Sequence, residues 1–302
     1  MFARFRVHTR IFLQRVSRVL IGDHMGVVLN EAGRWSPLLK AAQVNLFMHY
    51  QTLVREGKKL PSISDTGFRV FSQFEEDGLL LYIFATLGTK SKIFVDIGAG
   101  DGIHSNCANL AVNFGWHGLF IDSSESNVGH GRAFYSKHPD TWLYPPKFTC
   151  AVVTRENVNQ LVRDAGLAGE VDLLSIDIDG NDYWIWDALD FVQPRVVVIE
   201  TNIRFGYQNI VVPYDPQHRH PGCHPDYFGA SPVAMVHLAR RKGYRLVGAN
   251  RFGFNTIFLR DTEGLDLIPT VQVQDILCHP RNPERFALFD AIKDWPYVEG
   301  PG

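Results

Sequence analysis

A short apolar run, Ile93-Phe94-Val95, ends in Asp96 and passes into Ile97-Gly98-Ala99-Gly100-Asp101-Gly102. Three glycines at alternate positions after a strand make a tight turn whose missing side chains let a ligand lie against the backbone. We expect a helix to begin near His104, which would present its N-terminal amides to that ligand. Few folds use a strand, a glycine turn and a helix in this order except an α/β sheet with its crevice at the strand ends.

The rest of the chain supports such a sheet. Apolar strands are predicted at Ile93–Ile97, Gly118–Ile121, Lys147–Val152, Leu173–Asp177 and Val196–Glu200, alternating with helical stretches. Arg245–Val247 and Asn255–Leu259 are separated by a Gly-containing turn and suit an antiparallel pair. We therefore expect an α/β chain with a Rossmann-like, seven-stranded mixed sheet, helices on both faces and an N-terminal helical extension. Residues 1–70 would form that extension and residues 71–302 the sheet domain. Helices are predicted from Pro37 to Glu56, after Ser36-Pro37, and from about Gln73 to Leu87, with Glu75, Glu76 and Asp77 where the helix dipole favours acids. Between Asn202 and Ala230 the pattern gives way to a polar Pro-, His- and Gly-rich insert, too long for a routine connection and expected to carry function.

The glycine spacing discriminates between cofactors. A dinucleotide fingerprint would place its third glycine where Ile103 stands, whereas DxGxGxG spacing suits S-adenosylmethionine. Asp122 ends the second predicted strand and can accept hydrogen bonds from two ribose hydroxyls. Asp96 would reach the methionine ammonium directly or through water, and Cys150 and Ala151 would border the adenine. The expected donor site comprises Asp96, Gly98, Ala99, Gly100, Gly102, Asn106, Asp122, Ser123, Cys150, Ala151 and Asp177.

The chemistry is expected at the next strand ends. Val171 to Trp186 reads VDLLSIDIDGNDYWIW, an apolar strand that runs into Asp177, Asp179, Asn181 and Asp182, and the following strand delivers Glu200 and Asn202. Asp179, Glu200 and Asn202 offer hard oxygen ligands to Mg²⁺ or another divalent cation such as Ca²⁺. Asp177, Asp179 or Asp182 would orient a substrate hydroxyl or take its proton. The alternative role for these acids is to cap the following helix and pair with arginines such as Arg204. His104 is a further candidate base or a packing residue. His218, His220, Cys223 and His224 match no common zinc spacing, and we expect the histidines to contact substrate or solvent.

Charge and cysteine usage narrow the partners. A formal net charge of −2 gives no general basic field, so nucleic acid is not an expected partner. Four cysteines without CxxC pairing fit a reducing cytoplasm, and no apolar run approaches a membrane-spanning length. Residues 1–20 read as a basic amphipathic helix with Arg4, Arg6, Arg10, Arg15 and Arg18. It would pack on the same or a neighbouring subunit of a homo-oligomer, or touch an anionic membrane peripherally.

Taken as an ordered set, FSQFEEDGLL (Phe71 to Leu80), VDIGAGDGIHSN (Val95 to Asn106), GWHGLFID (Gly115 to Asp122), SIDIDGNDYW (Ser175 to Trp184) and FGASPVAMVHLARRKGYRLVG (Phe228 to Gly248) resemble the FkbM-type class I methyltransferases. A more distant likeness is to the TylF-type sugar O-methyltransferases. The resemblance implies methyl transfer to a hydroxyl, often on a sugar of a polysaccharide, glycolipid or other metabolite, and adds Gln73 and Glu76 as residues that close the cofactor site. The TylF-like branch holds Mg²⁺ on acids at places matched here by Asp179-Gly180-Asn181-Asp182 and Glu200-Thr201, with Asn181 and Thr201 where acids would stand. Two other classes remain open: an NAD(P)-dependent oxidoreductase on the same crevice, and a non-catalytic binding protein that retains the fold.

Overall fold

A computed structural model describes residues 37–300. The expected basic helix of residues 1–20 lies outside them. Residues 47–302 make one compact unit, to which the description below refers; of residues 1–46 the described part is the start of a helix, Pro37–Arg55.

The strands are β1 (Ile93–Ile97), β2 (His117–Asp122), β3 (Lys147–Cys150), β4 (Gly169–Ile176), β5 (Val192–Glu200), β6 (Ile210–Val211), β7 (Tyr244–Ala249), β8 (Asn255–Arg260) and β9 (Val298–Glu299). Seven of them form one sheet in the order β3-β2-β1-β4-β5-β8-β7. β1 to β5 run parallel, with Val95 opposite both Leu119 and Leu174, while β8 runs antiparallel to β5 and β7. The chain is therefore an α/β protein with the expected mixed sheet and terminal hairpin. Strand order reverses between β1 and β4, which puts the ends of these two strands on either side of the crevice typical of such sheets.

Side-chain alternation explains the two covered faces. Val95 and Ile97 point into a core shared with Val158, Val162, Ile185, Trp186, Met235 and Leu238, from the helices Val158–Asp164, Asp182–Ala188 and Pro232–Arg241. On the opposite face Phe94 meets Phe120, and Phe120 meets Phe148 and Tyr135, at ring separations of 4.8, 4.9 and 5.4 Å. Strands buried on both faces read as continuous apolar runs, which is why the sequence revealed them.

The helix Glu76–Leu87 is buried along nearly its whole length. Its first turn is tied to the loop before it: Asp77 Oδ2 accepts from the amides of Val70, Phe71 and Ser72 at 2.7, 2.6 and 2.8 Å. Tyr50 packs edge-on against Tyr82, whose hydroxyl donates to Pro61 O at 3.0 Å. Residues 47–70 thus pack onto the sheet unit.

At the sheet's other end Arg195 is buried on β5 and donates to Asp172 at 2.8 Å and Glu263 at 2.7 Å. Asp172 also accepts from the amides of Lys90 and Lys92. The hydrogen bond from Arg195 holds the Glu263 carboxyl down at about 2, against an ordinary value of 4.5. Its contribution to stability is therefore complete above pH 4.5 and is lost as pH falls toward 2. Arg195→Ala leaves the buried Asp172 carboxylate without its counter-charge and should cost about 3–5 kcal/mol in urea unfolding at neutral pH. The stability lost on acidification should shrink in the same variant.

Candidate active site

Because β1 and β4 are neighbours, the glycine loop meets the acidic loop directly. The Asp177 amide donates to Ile97 O at 2.9 Å. Gly98 has φ 83°, and a Cβ there would lie 1.7 Å from the Asp177 carbonyl oxygen. Gly100, at φ 57°, has open space where its Cβ would be, and its amide donates to Asp122 Oδ2 at 2.9 Å. Gly102 instead abuts the rings of Phe120 and Phe148. Only Gly98 and Gly100 line the crevice; Gly102 serves packing. The helix expected at His104 begins at Ala108. His104 stands in the preceding turn, its Nδ1 3.6 Å from Asp101, and lines neither of the cavities described below.

A cavity of about 360 Å³ opens above this loop, between Gly98 and Gly100, Asp122-Ser123, Ala151 to Val153 and the insert residues Pro216 to His220. The remaining Asp122 oxygen accepts from Ser124 N at 2.8 Å, which orients the carboxylate toward the cavity. Several expected donor-site residues are not among those that line it. Asp96 is buried, takes a short hydrogen bond from the Ser105 hydroxyl, and has its carboxyl pushed up to about 6 by burial. It is not part of the cavity lining, whereas Asp177 is. The Ala99 amide donates to Ile121 O, Asn106 donates to Ser175 Oγ, and the Cys150 thiol turns toward Ser123 O. Each supports the wall without lining it.

A second cavity, of about 770 Å³, lies on the β5 side. Asp177, Asp179 and His220 line both cavities, so the two meet at the acids. Oxygen atoms of Asp177, Asp179 and Glu200 all lie within 4.8 Å of one another. Burial, followed by the charges of the neighbouring carboxylates, raises the proton affinity of Asp177 and Glu200 well above the usual carboxylate range. One oxygen of Glu200 is buried without a hydrogen-bond partner. Here are three acceptors in search of a cation or a proton.

Two expected residues drop out of this cluster. Asp182 is buried and accepts from the amides of Ile178 and Gly180, both at 2.8 Å, so it shapes the turn and lines neither cavity. Asn202 spends its amide on Asp226 O and Phe228 O and its oxygen on Arg204 N. It anchors the insert, and Asp177 takes its place as the third potential metal ligand. Glu76 likewise bonds Asn250, Asn255 and Phe74 N in the interior, whereas Gln73 lines the larger cavity, away from the glycine loop. The insert histidines do not converge: His218 and His220 line the first cavity, while His224 packs on Trp295 and accepts from Asp226 N.

The far wall of the larger cavity had little sequence signal. Phe252 and Phe254 lie with parallel rings, Phe74 stands edge-on to both at 5.3 and 5.2 Å, and His279, Arg281 and Arg285 close the side. Phe252 and Phe254 sit on either side of Gly253, which is at φ 90° in a turn, so the alternation of extended chain offers no cue to them. The C-terminal residues carried none.

No protein-family model and no curated protein matches the chain. Among solved structures it is similar to a magnesium protoporphyrin IX methyltransferase from Synechocystis with bound SAM, at 14% identity over 61% of this chain and 76% of that one, with a TM-score of 0.38. It is also similar to an S-adenosylmethionine-dependent methyltransferase from Clostridium acetobutylicum, at 11% identity over 72% and 97%, TM-score 0.39. A further similarity is to WbdD, at 18% identity over 56% of this chain and TM-score 0.35; the match spans 36% of that chain.

The two kinds of acid separate by mutation. Asp182→Ala frees two amides and should destabilise the protein by about 1–3 kcal/mol in urea unfolding. Asp179→Asn should leave stability unchanged or raise it, because asparagine tolerates the φ of 54° found there and one of several like charges is removed.

Proposed function

We propose that this chain is an S-adenosylmethionine-dependent O-methyltransferase whose acceptor is a hydroxyl of a sugar, polysaccharide or glycosylated metabolite. The observation that carries this is the meeting of the two cavities at Asp177, Asp179 and His220: one has the backbone and carboxylate furniture of an adenosyl site, the other an aromatic and polar wall. The ribose hydroxyls would bind Asp122, the adenine would lie along Ala151 to Val153, and the methionyl part would cross Gly98 and Gly100 with its ammonium toward Asp177. The methyl group would then stand at the junction.

Transfer from this placement is a single in-line displacement. A lone pair of the acceptor oxygen forms the new O–C bond as the C–S bond breaks and its electron pair stays on sulfur, giving S-adenosylhomocysteine. The hydroxyl proton passes to a carboxylate of the junction, with Asp179 and Glu200 on the acceptor side, and from there to water. Holding the oxygen in line with the departing sulfur supplies much of the rate. Phe74, Phe252 and Phe254 offer apolar faces to the C–H face of a sugar ring, and polar groups around them fix its orientation. The resemblance to FkbM-type enzymes points to the same acceptor class.

The carboxylate trio also fits a hard divalent cation, by its three oxygen donors and the unpartnered Glu200 oxygen. Asp177, Asp179 and Glu200 would hold it, and it would lower the pKa of the acceptor hydroxyl.

The decisive experiment incubates the protein with labelled methyl donor and fractionated cell metabolites, with EDTA and then with Mg²⁺ restored. Label should enter a carbohydrate fraction; label confined to protein refutes the glycan acceptor, and loss with EDTA that Mg²⁺ reverses establishes the cation. Tight calorimetric binding of NADH, with none of S-adenosylhomocysteine, would show an oxidoreductase instead. Gly98→Ala should abolish S-adenosylhomocysteine binding, whereas Gly129→Ala, on an open helix surface, should retain it.

The raised proton affinity of Asp177 and Glu200 sets the pH dependence. Transfer should increase with pH through an ascending limb that lies above the ordinary carboxylate range, as the junction acids lose their protons. Asp179→Asn should lower the plateau and move that limb to lower pH, since one of the charges that raises the others is gone.

A further inference from the structure

We propose that His218 is a positioning residue: it holds the backbone that presents the Asp179 carboxylate, and so couples the insert walling the donor cavity to the acid at the junction. This rests on the assignment of donor and acceptor cavities made above.

Asp179 sits at φ 54°, a left-handed conformation that a non-glycine residue keeps only where its surroundings impose it. From inside the loop, Asp182 takes the amides on either side of Asp179. From outside, the insert takes the carbonyls. His218 Nε2 lies 2.9 Å from Asp179 O, and the Gly229 amide donates to Gly180 O at 3.1 Å. Asn181 completes the connection by donating to Asp215 O at 2.8 Å. Since a carbonyl only accepts, His218 must carry its proton on Nε2, and both the neutral ring in that tautomer and the imidazolium satisfy the bond.

The space around the ring is built for it. A Cβ on Gly180 would lie 2.4 Å from His218 Cδ2 and 2.5 Å from Nε2, and a Cβ on Gly222 would lie 3.0 Å from Cε1. Two glycines thus flank the imidazole, and the first belongs to the acidic loop itself. His218 lines the donor cavity alone, whereas Asp179 lines both. One hydrogen bond therefore connects the wall of one cavity to a carboxylate that faces the other.

Four variants separate positioning from mere packing. His218→Gln keeps an N–H donor, His218→Phe keeps a ring without one, and His218→Ala removes both. Gly180→Ala drives the ring out from the other side. With the carbohydrate fraction as acceptor, His218→Phe and Gly180→Ala should lower kcat by about tenfold to a hundredfold. Affinity for S-adenosylhomocysteine should change by less than about threefold, and His218→Gln should recover most of the turnover. Gly180→Ala in the His218→Ala background should add no further loss, because the two changes act on one contact. Hydrogen exchange of residues 178–182 should quicken in His218→Phe and stay near wild type in His218→Gln, a measurement that needs no methyl transfer. Wild-type turnover and exchange in His218→Phe, or additive losses in the double variant, overturns the role of His218. Absence of transfer by the wild type counts against the enzyme assignment alone, and exchange then decides the positioning by itself.

Discussion

The close approach of β1 and β4 is the contact on which the site depends. Asp177 N donates to Ile97 O, and the Asp177 carbonyl occupies the space that a Cβ on residue 98 would need. No side chain larger than hydrogen admits this geometry, and the backbone of Gly98 is already in a conformation that disfavours any other residue. Once the two loops touch, the open face of Gly100, the Asp122 carboxylate and the acids of β4 necessarily border one space. The strand order determines the contact, because the chain leaves β1 on one side and returns to β4 on the other.

The concentration of negative charge at that junction is costly, and its surroundings manage the cost in different ways. Asp182 is satisfied by two backbone amides, Asp122 by Gly100 and Ser124, and Asp96 by Ser105. Burial raises the proton affinity of Asp96 and Asp182 as well, but that of Asp177 and Glu200 stands well above the usual carboxylate range, and Glu200 has an oxygen left without a partner. The unpartnered Glu200 oxygen lies beside Asp177 and Asp179, where the two cavities meet, and a cation or a proton would satisfy it there. The insert completes the junction. Its first half is tied to the sheet unit by Trp184 Nε1 to Val212 O and by Tyr214 to Glu156, and its end by Asn202 and by the ion pair of Arg204 with Asp226. Its start also pairs as β6 with β9, so the C-terminal segment returns to the same edge.

Six of the seven main strands were legible because strands buried on both faces are largely apolar runs, the exception being the edge strand β3, and the glycine turn because its φ angles disfavour other residues. Less visible were β6 and β9, two residues each, which owe their pairing to chain return and carry no pattern of their own. The helix after the glycine loop starts at Ala108 and not at His104 because Asp101 captures the amides of Ile103 and His104 in a local turn. Such side-chain competition for the backbone is invisible to periodicity.

The sequence by itself determined the α/β sheet, the place of the crevice and the loops that border it, since these follow from burial period and glycine conformation, both local properties of the chain. It named the acids of the junction but did not rank them. Only the tertiary structure separated Asp177, Asp179 and Glu200, which share a space, from Asp182 and Asn202, whose polar atoms are consumed by the turn and the insert. The physical reason is that a polar side chain's role depends on which partners reach it: the turn folds the amides of Ile178 and Gly180 back onto Asp182, and the insert brings the carbonyls of Asp226 and Phe228 to Asn202. Tertiary contact likewise placed His218 on the Asp179 backbone and brought Phe74, Phe252, His279 and Arg281 into one wall, from three parts of the chain that no spacing rule connects.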